Sequence, residues 1–121
     1  MLKLIYCMRR KPDLSVEEFQ RYWREVHAPI VAERADLLGI KRYIQAHTTM
    51  PEVIPALQER NGGSPEPYDG VAEIWIETLD ALGSEDPAVQ QAMADLLADE
   101  GTFIDLAGSP LWIAQENVVV A

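Results

Sequence analysis

Apolar positions recur along this chain with two alternating periods, and the switches between them mark out the elements. Leu2, Leu4, Tyr6 and Met8 fall on one side of a period-two run and Lys3, Ile5, Cys7 and Arg9 on the other, which predicts a strand with one well-buried face. From Leu14 to Pro29 the period becomes helical. Phe19, Tyr22, Trp23, Val26 and Ile30 recur at three- and four-residue spacing and predict one buried stripe, with Glu17, Glu18, Arg21, Arg24 and Glu25 mostly turned to water. Ser15 and Glu18 form a capping box, and Leu14 with Phe19 forms a hydrophobic staple, so the helix has a defined start. His27 lies at the edge of the stripe. Pro29 cannot continue the hydrogen-bond ladder, which predicts an end or kink just past the imidazole.

A second, shorter helical piece runs from Pro29 to Leu38 and stops at Gly39, a residue suited to the left-handed position after a last turn. Ile40 to His47 returns to alternation, with Tyr43, Gln45 and His47 on one side and Ile40, Arg42, Ile44 and Ala46 on the other. Thr48 to Pro67 carries Pro51, Pro55, Gly62, Gly63, Pro65 and Pro67 around a short helix over 53–60, a connection long enough to be read as a lid or an interface arm. Tyr68 to Glu77 is the clearest later strand, with Gly70, Ala72, Ile74 and Ile76 opposite Asp69, Val71, Glu73 and Trp75. Leu79 to Leu82 makes one helical turn before Gly83. Asp86 and Pro87 then open a helix whose apolar stripe is Val89, Met93, Leu96, Leu97 and Phe103. The β-branched and aromatic run from Leu111 to Val120 reads as a closing strand.

Strand, helix, strand, strand, helix, strand is the split βαβ order. It predicts an α+β, ferredoxin-like βαββαβ fold with a four-stranded antiparallel sheet and helices on one face, over a single domain spanning residues 1–121. The uncovered sheet face would be a large apolar patch, so two copies are expected to pack face to face as a homodimer, helped by Val118–Val120.

The net charge of −10 argues against nucleic acid or an anionic membrane as a partner, because either needs a basic face. Arg9, Arg10 and Lys11 form the one basic cluster, a solvated strand end or a site that steers an anionic ligand. Cys7 is alone, so neither an intrachain disulfide nor a thiolate metal cluster is available. The apolar start is too short and too interrupted for a signal peptide, and no run is long enough to span a bilayer, so a cytoplasmic protein is expected. His27 and His47 lack a short-spaced partner, which disfavours zinc, and the glycines form no phosphate loop, so no cofactor and no metal are expected.

Phe19, Tyr22-Trp23, His27-Ala28-Pro29, Tyr43 through His47, Tyr68-Asp69-Gly70, Glu73-Ile74-Trp75, Asp99-Glu100 with Phe103 and Asp105, and Glu116 together resemble the EthD-like family. The resemblance covers nearly the whole chain. It implies a dimeric α/β barrel of two ferredoxin-like subunits, each with a pocket between sheet and helices. It also implies company among alkyl-ether degradation proteins without an assigned reaction, fungal polyketide dehydratases and methylmuconolactone isomerases. By the same resemblance, His27 is the proton-transfer residue.

A cofactor-free acid/base site needs a group titrating near neutrality, a polar partner and apolar walls. The expected catalytic residues are His27, His47, Asp69 and Glu73, and the expected substrate-binding residues are Tyr22, Trp23, Tyr43 and Trp75. In this reading His47 or Tyr43 holds a carbonyl or hydroxyl, Asp69 or Glu73 orients an imidazole or acts as second acid/base, and the aromatics stack on a flat substrate. Each has a plainer role: His27 as a packed capping residue, the aromatics as core, Glu73 as an interface ion-pair partner. The expected activity is dehydratase, isomerase or lyase chemistry on a small hydrophobic or aromatic intermediate. The alternatives are a non-catalytic binding accessory of an oxygenase pathway and a cofactor-free or haem-binding monooxygenase-like barrel.

Overall fold

The computed structural model describes residues 1–121. Strands β1 (Leu2–Met8), β2 (Ile40–His47), β3 (Gly70–Ile76) and β4 (Leu111–Ala114) form one antiparallel sheet in the order β2-β3-β1-β4. Helices α1 (Val16–Tyr22), α2 (Ala28–Leu38) and α4 (Pro87–Phe103) pack over the sheet, and α3 (Ile54–Arg60) follows a 3-10 turn at Pro51–Val53 in the long connection. This is the ferredoxin-like α+β arrangement that the element order implies. No helix is long and apolar enough to cross a membrane.

Register assigns the two faces of the sheet. Tyr6 pairs with Ala72, Met8 with Gly70, Tyr43 with Ile74 and Gln45 with Ala72, so these residues share the face beneath the helices. Lys3 pairs with Trp75, Ile5 with both Glu73 and Trp112, and Ile44 with Glu73, so these share the open face. A bulge between Ile40 and Arg42 shifts the phase of β2, so Ile40 lies on the helix side with Tyr43 instead of with Arg42. The core under the helices is built from Tyr6, Met8, Phe19, Trp23, Ala72, Phe103 and Ile104.

Two further expectations need correction. The chain does not break at Pro29: α1 runs through a π-helical turn, Trp23–His27, into α2, with the Ala28 N–H bonded to the Trp23 carbonyl. The wider turn absorbs one extra residue and moves the buried stripe to Phe19, Trp23, His27 and Val31, leaving Val26 exposed. The closing strand also ends at Ala114, which pairs with Lys3; β1 has almost no residues left to pair beyond that point, and Val118–Val120 lie exposed.

Candidate functional site: a histidine and a buried glutamate on one hollow

The site begins with the π-turn. It carries His27 inward, where the ring is only 5% exposed and lies 5.1 Å from the Phe103 ring. Its Nδ1 lies 2.7 Å from Asp99 Oδ2, and the Tyr22 hydroxyl donates to Asp99 Oδ1 at 2.6 Å. Ionised Asp99 is acceptor-only, so the proton sits on Nδ1 and the lone pair on Nε2, which has no partner in the chain. Burial pulls the imidazole below its ordinary range, and Asp99 opposes that shift, so the ring is neutral at pH 7.

His27 lines a hollow of about 50 Å³ between helices and sheet, together with Tyr6, Tyr43, Leu96 and Glu100. Trp23, Met8, Val31, Ile40, Ala72 and Ile74 complete its mostly apolar wall. Glu100 is pushed up to about 7: burial is the main cause, the Tyr6 hydroxyl opposes it, and the Asp99 charge adds to it. A neutral base and a carboxyl near half-protonation therefore share one mostly apolar space, an arrangement suited to moving two protons.

The opposite edge of the hollow is a hydrogen-bond chain. Trp23 Nε1 donates to the Tyr43 hydroxyl at 3.1 Å, and Gln45 Nε2 donates to the same hydroxyl at 3.1 Å and to the Trp23 carbonyl at 3.0 Å. Gln45 Oε1 lies 2.8 Å from His47 Nε2, and the His47 ring packs on Trp23 with centroids 4.4 Å apart. Trp23 is fully buried and fits against β3 because Gly70 has no side chain.

Of the residues singled out from sequence, the structure brings His27, Trp23 and Tyr43 to the hollow, sets Tyr22 behind them on Asp99, and places His47 one contact away. It does not bring the other three there. Asp69 binds the Arg10 backbone N–H and guanidinium, each at 2.8 Å, and so ties the end of β1. Glu73 and Trp75 are on the open face, where Glu73 pairs with Lys3 at 2.7 Å and Trp75 donates to Glu116 at 2.6 Å. The reason is alternation: Glu73 and Trp75 are odd-numbered on β3, and the helices cover the even-numbered face.

Asp99, Glu100, Gln45 and Tyr6 were given no individual role by sequence reasoning. One signal was available, because Leu96, Glu100 and Phe103 fall on one helical face, and an acid inside an apolar stripe is a buried-carboxyl candidate. No group of three or more His, Cys, Asp or Glu side chains is arranged to hold a metal ion.

Comparison with known proteins agrees with this architecture. The chain is 25% identical over 108 residues to the dehydratase ustZ of Ustilaginoidea virens, covering 86% of this chain and 75% of that one. A dimeric, ferredoxin-like protein of unknown function from Bacteroides fragilis superposes with a TM-score of 0.58 at 14% identity, over 95% of each chain. An EthD family protein of Bacillus halodurans superposes with a TM-score of 0.57 at 18% identity, over 97% of this chain and 99% of that one. The EthD domain model matches residues 11–107, a span holding the π-turn, the Tyr43–Gln45–His47 strand and the Asp99–Glu100 pair, and this chain is a member of the EthD domain family.

Proposed function

We propose that this chain is a cofactor-independent dehydratase that removes water from a small hydrophobic or aromatic β-hydroxy carbonyl compound. The observation that carries the reading is the hollow shared by His27, anchored on Asp99 at 2.7 Å, and Glu100, a carboxyl pushed up to about 7. His27 Nε2 takes the proton next to the carbonyl, and the C–H electron pair moves into the developing enolate. Tyr43 holds the carbonyl oxygen by a hydrogen bond. Protonated Glu100 gives its proton to the leaving hydroxyl as the C–O bond breaks, the enolate electrons form the C=C bond, and water departs. Imidazolium, held by Asp99, then returns a proton to Glu100 through water. The similarity to a named dehydratase supports the direction of this chemistry.

The open face supports a homodimer. Trp112 pairs with Ile5 there and is 47% exposed, the Val118–Val120 tail extends from the same edge, and the Bacteroides fragilis relative is dimeric. Sedimentation should show a dimer, and Trp112→Glu should shift it towards monomer.

The decisive experiment is a panel of alkyl and aryl β-hydroxy ketones, followed by enone absorbance with wild type, His27→Asn and Glu100→Gln. The expected result is wild-type turnover that falls about 10³-fold in His27→Asn with folding intact. The pH profile should be a narrow bell, limited on the acid side by protonation of His27 and on the alkaline side by ionisation of Glu100 at about 7. Equal ligand binding by all three forms with no turnover would instead support a non-catalytic accessory role.

A further inference from the structure

We infer that Gln45, locked by His47, is a positioning residue that leaves the Tyr43 hydroxyl with a single remaining act, donation into the hollow. The inference rests on the reading of Tyr43 as the carbonyl-holding group, and it adds what compels the phenol to serve as a donor.

The donor directions follow from partners that have no choice. The Trp23 backbone carbonyl can only accept, so the Gln45 atom 3.0 Å away from it must be the amide nitrogen. The Trp23 indole N–H can only donate, so its bond to the Tyr43 oxygen occupies one lone pair. The second amide hydrogen of Gln45 occupies the other, at 3.1 Å. With both lone pairs filled, the phenolic hydrogen has no acceptor in the chain, while Tyr43 itself lines the hollow beside His27 and Glu100.

His47 keeps the amide from turning over. Gln45 Oε1 faces His47 Nε2 at 2.8 Å, so that nitrogen must carry the ring proton, and His47 Nδ1 is left bare, buried and without a partner. Flipping the amide would set two acceptors against each other at the Trp23 carbonyl and would drive the His47 proton to Nδ1, a buried position with no acceptor in the chain. That carbonyl belongs to the π-turn and also accepts from Ala28 N–H. The same wide turn that delivers His27 thus anchors the clamp on Tyr43.

Gln45→Glu keeps the shape and reverses the direction, because a carboxylate accepts the phenolic proton and withdraws it from the hollow. Gln45→Met removes the clamp without adding charge. His47→Phe keeps the stack on Trp23 and removes only the lock. The test is tyrosine 13Cζ and indole 15N–1H spectra of these variants at pH 7, with Tyr43→Phe and Trp23→Phe used for assignment and near-UV circular dichroism for folding. Tyr43 and Trp23 resonances should move in both Gln45 variants and, by less, in His47→Phe. Unmoved resonances in a folded Gln45 variant overturn the clamp.

On the β-hydroxy ketones that wild type dehydrates, Gln45→Glu should lower kcat about 10²-fold with KM within a few-fold, and Gln45→Met should retain more activity than Gln45→Glu. Moved resonances with unchanged kcat overturn the positioning role. If wild type turns over none of the panel, the acid/base reading fails while the spectra still decide the hydrogen-bond chain.

Discussion

The two faces of this sheet carry similar side chains and make different chemistry of them. Under the helices, a histidine, two acids, three tyrosines and a tryptophan meet on or behind a small, mostly apolar hollow, where burial pushes Glu100 up to about 7 and holds His27 neutral. On the open face, Lys3, Arg42, Glu73, Glu116 and Trp75 form a comparable cluster. Lys3 and Arg42 each lie 4.7 Å from the Trp75 ring, and Lys3 reaches Glu73 at 2.7 Å and Glu116 at 3.7 Å. Lys3, Glu73 and Glu116 are paired with one another while Arg42 lies over the Trp75 ring, and the pairing stabilises the ordinary ionised forms: Lys3 is held above its usual value by Glu73, and Glu116 below its usual value by the Trp75 hydrogen bond. Composition alone does not make a site. Desolvation without a neutralising cation does.

The sharpest way to break this contrast is to remove an acceptor beneath the helices. Asp99→Asn should cost turnover on the order of 10³-fold or more, because the amide no longer selects the Nδ1–H tautomer and no longer stabilises the imidazolium; steady-state kinetics on the β-hydroxy ketone panel measures it. Gly70→Ala attacks the packing instead. The added methyl would stand 2.9 Å from Trp23 Cη2 and closer still to Cζ3, in a ring that is fully buried, so a loss of about 3 kcal/mol is expected in denaturant titration.

Glu100→Gln separates stability from activity. The folded state holds the Glu100 proton more tightly than the unfolded chain, so its contribution is present below the ordinary carboxyl value of 4.5 and is lost as pH rises to about 7. Glutamine has no proton to lose. The variant should therefore gain about 3 kcal/mol over wild type at pH 8 and nothing at pH 4, while turnover falls at both. His27 has the opposite sign: its folded form sheds the proton more readily, so stability falls as pH drops below 6.5. Urea midpoints across pH resolve both slopes.

The smallest effect belongs to the open face. Glu73→Ala should change stability by less than about 1 kcal/mol in low salt, by less again in high salt, and should leave turnover unchanged. A large loss of turnover in that variant would erase the distinction between the faces.

Much of the architecture was readable from residues close together in the chain. The Ser15–Glu18 capping box forms with bonds of 3.0 and 3.1 Å, Gly39 takes the left-handed position after α2, and Asp86 caps α4 ahead of Pro87. Alternation on β1 and β3 followed from the same local rules, and the succession of elements along the chain implied the four-stranded antiparallel sheet. Three site residues on or beside the hollow, His27, Trp23 and Tyr43, were legible because they punctuate apolar patterns.

The remaining decisions joined residues far apart. Asp99 meets His27 across 72 positions and Tyr22 across 77, a pairing that no periodicity encodes. The π-turn depends on a carbonyl at Trp23 that also accepts from Gln45 on a neighbouring strand, so the phase that buries His27 was absent from an ideal helical count. Sequence determined the alternation on β1 and β3 and therefore which of their residues would travel together, whereas the bulge in β2 moved Ile40 across to the Tyr43 side. Only packing decided which of the two faces the helices would cover, and so which carboxylates would lose their water, because desolvation is a property of what lies on top of a side chain and not of its neighbours in the chain.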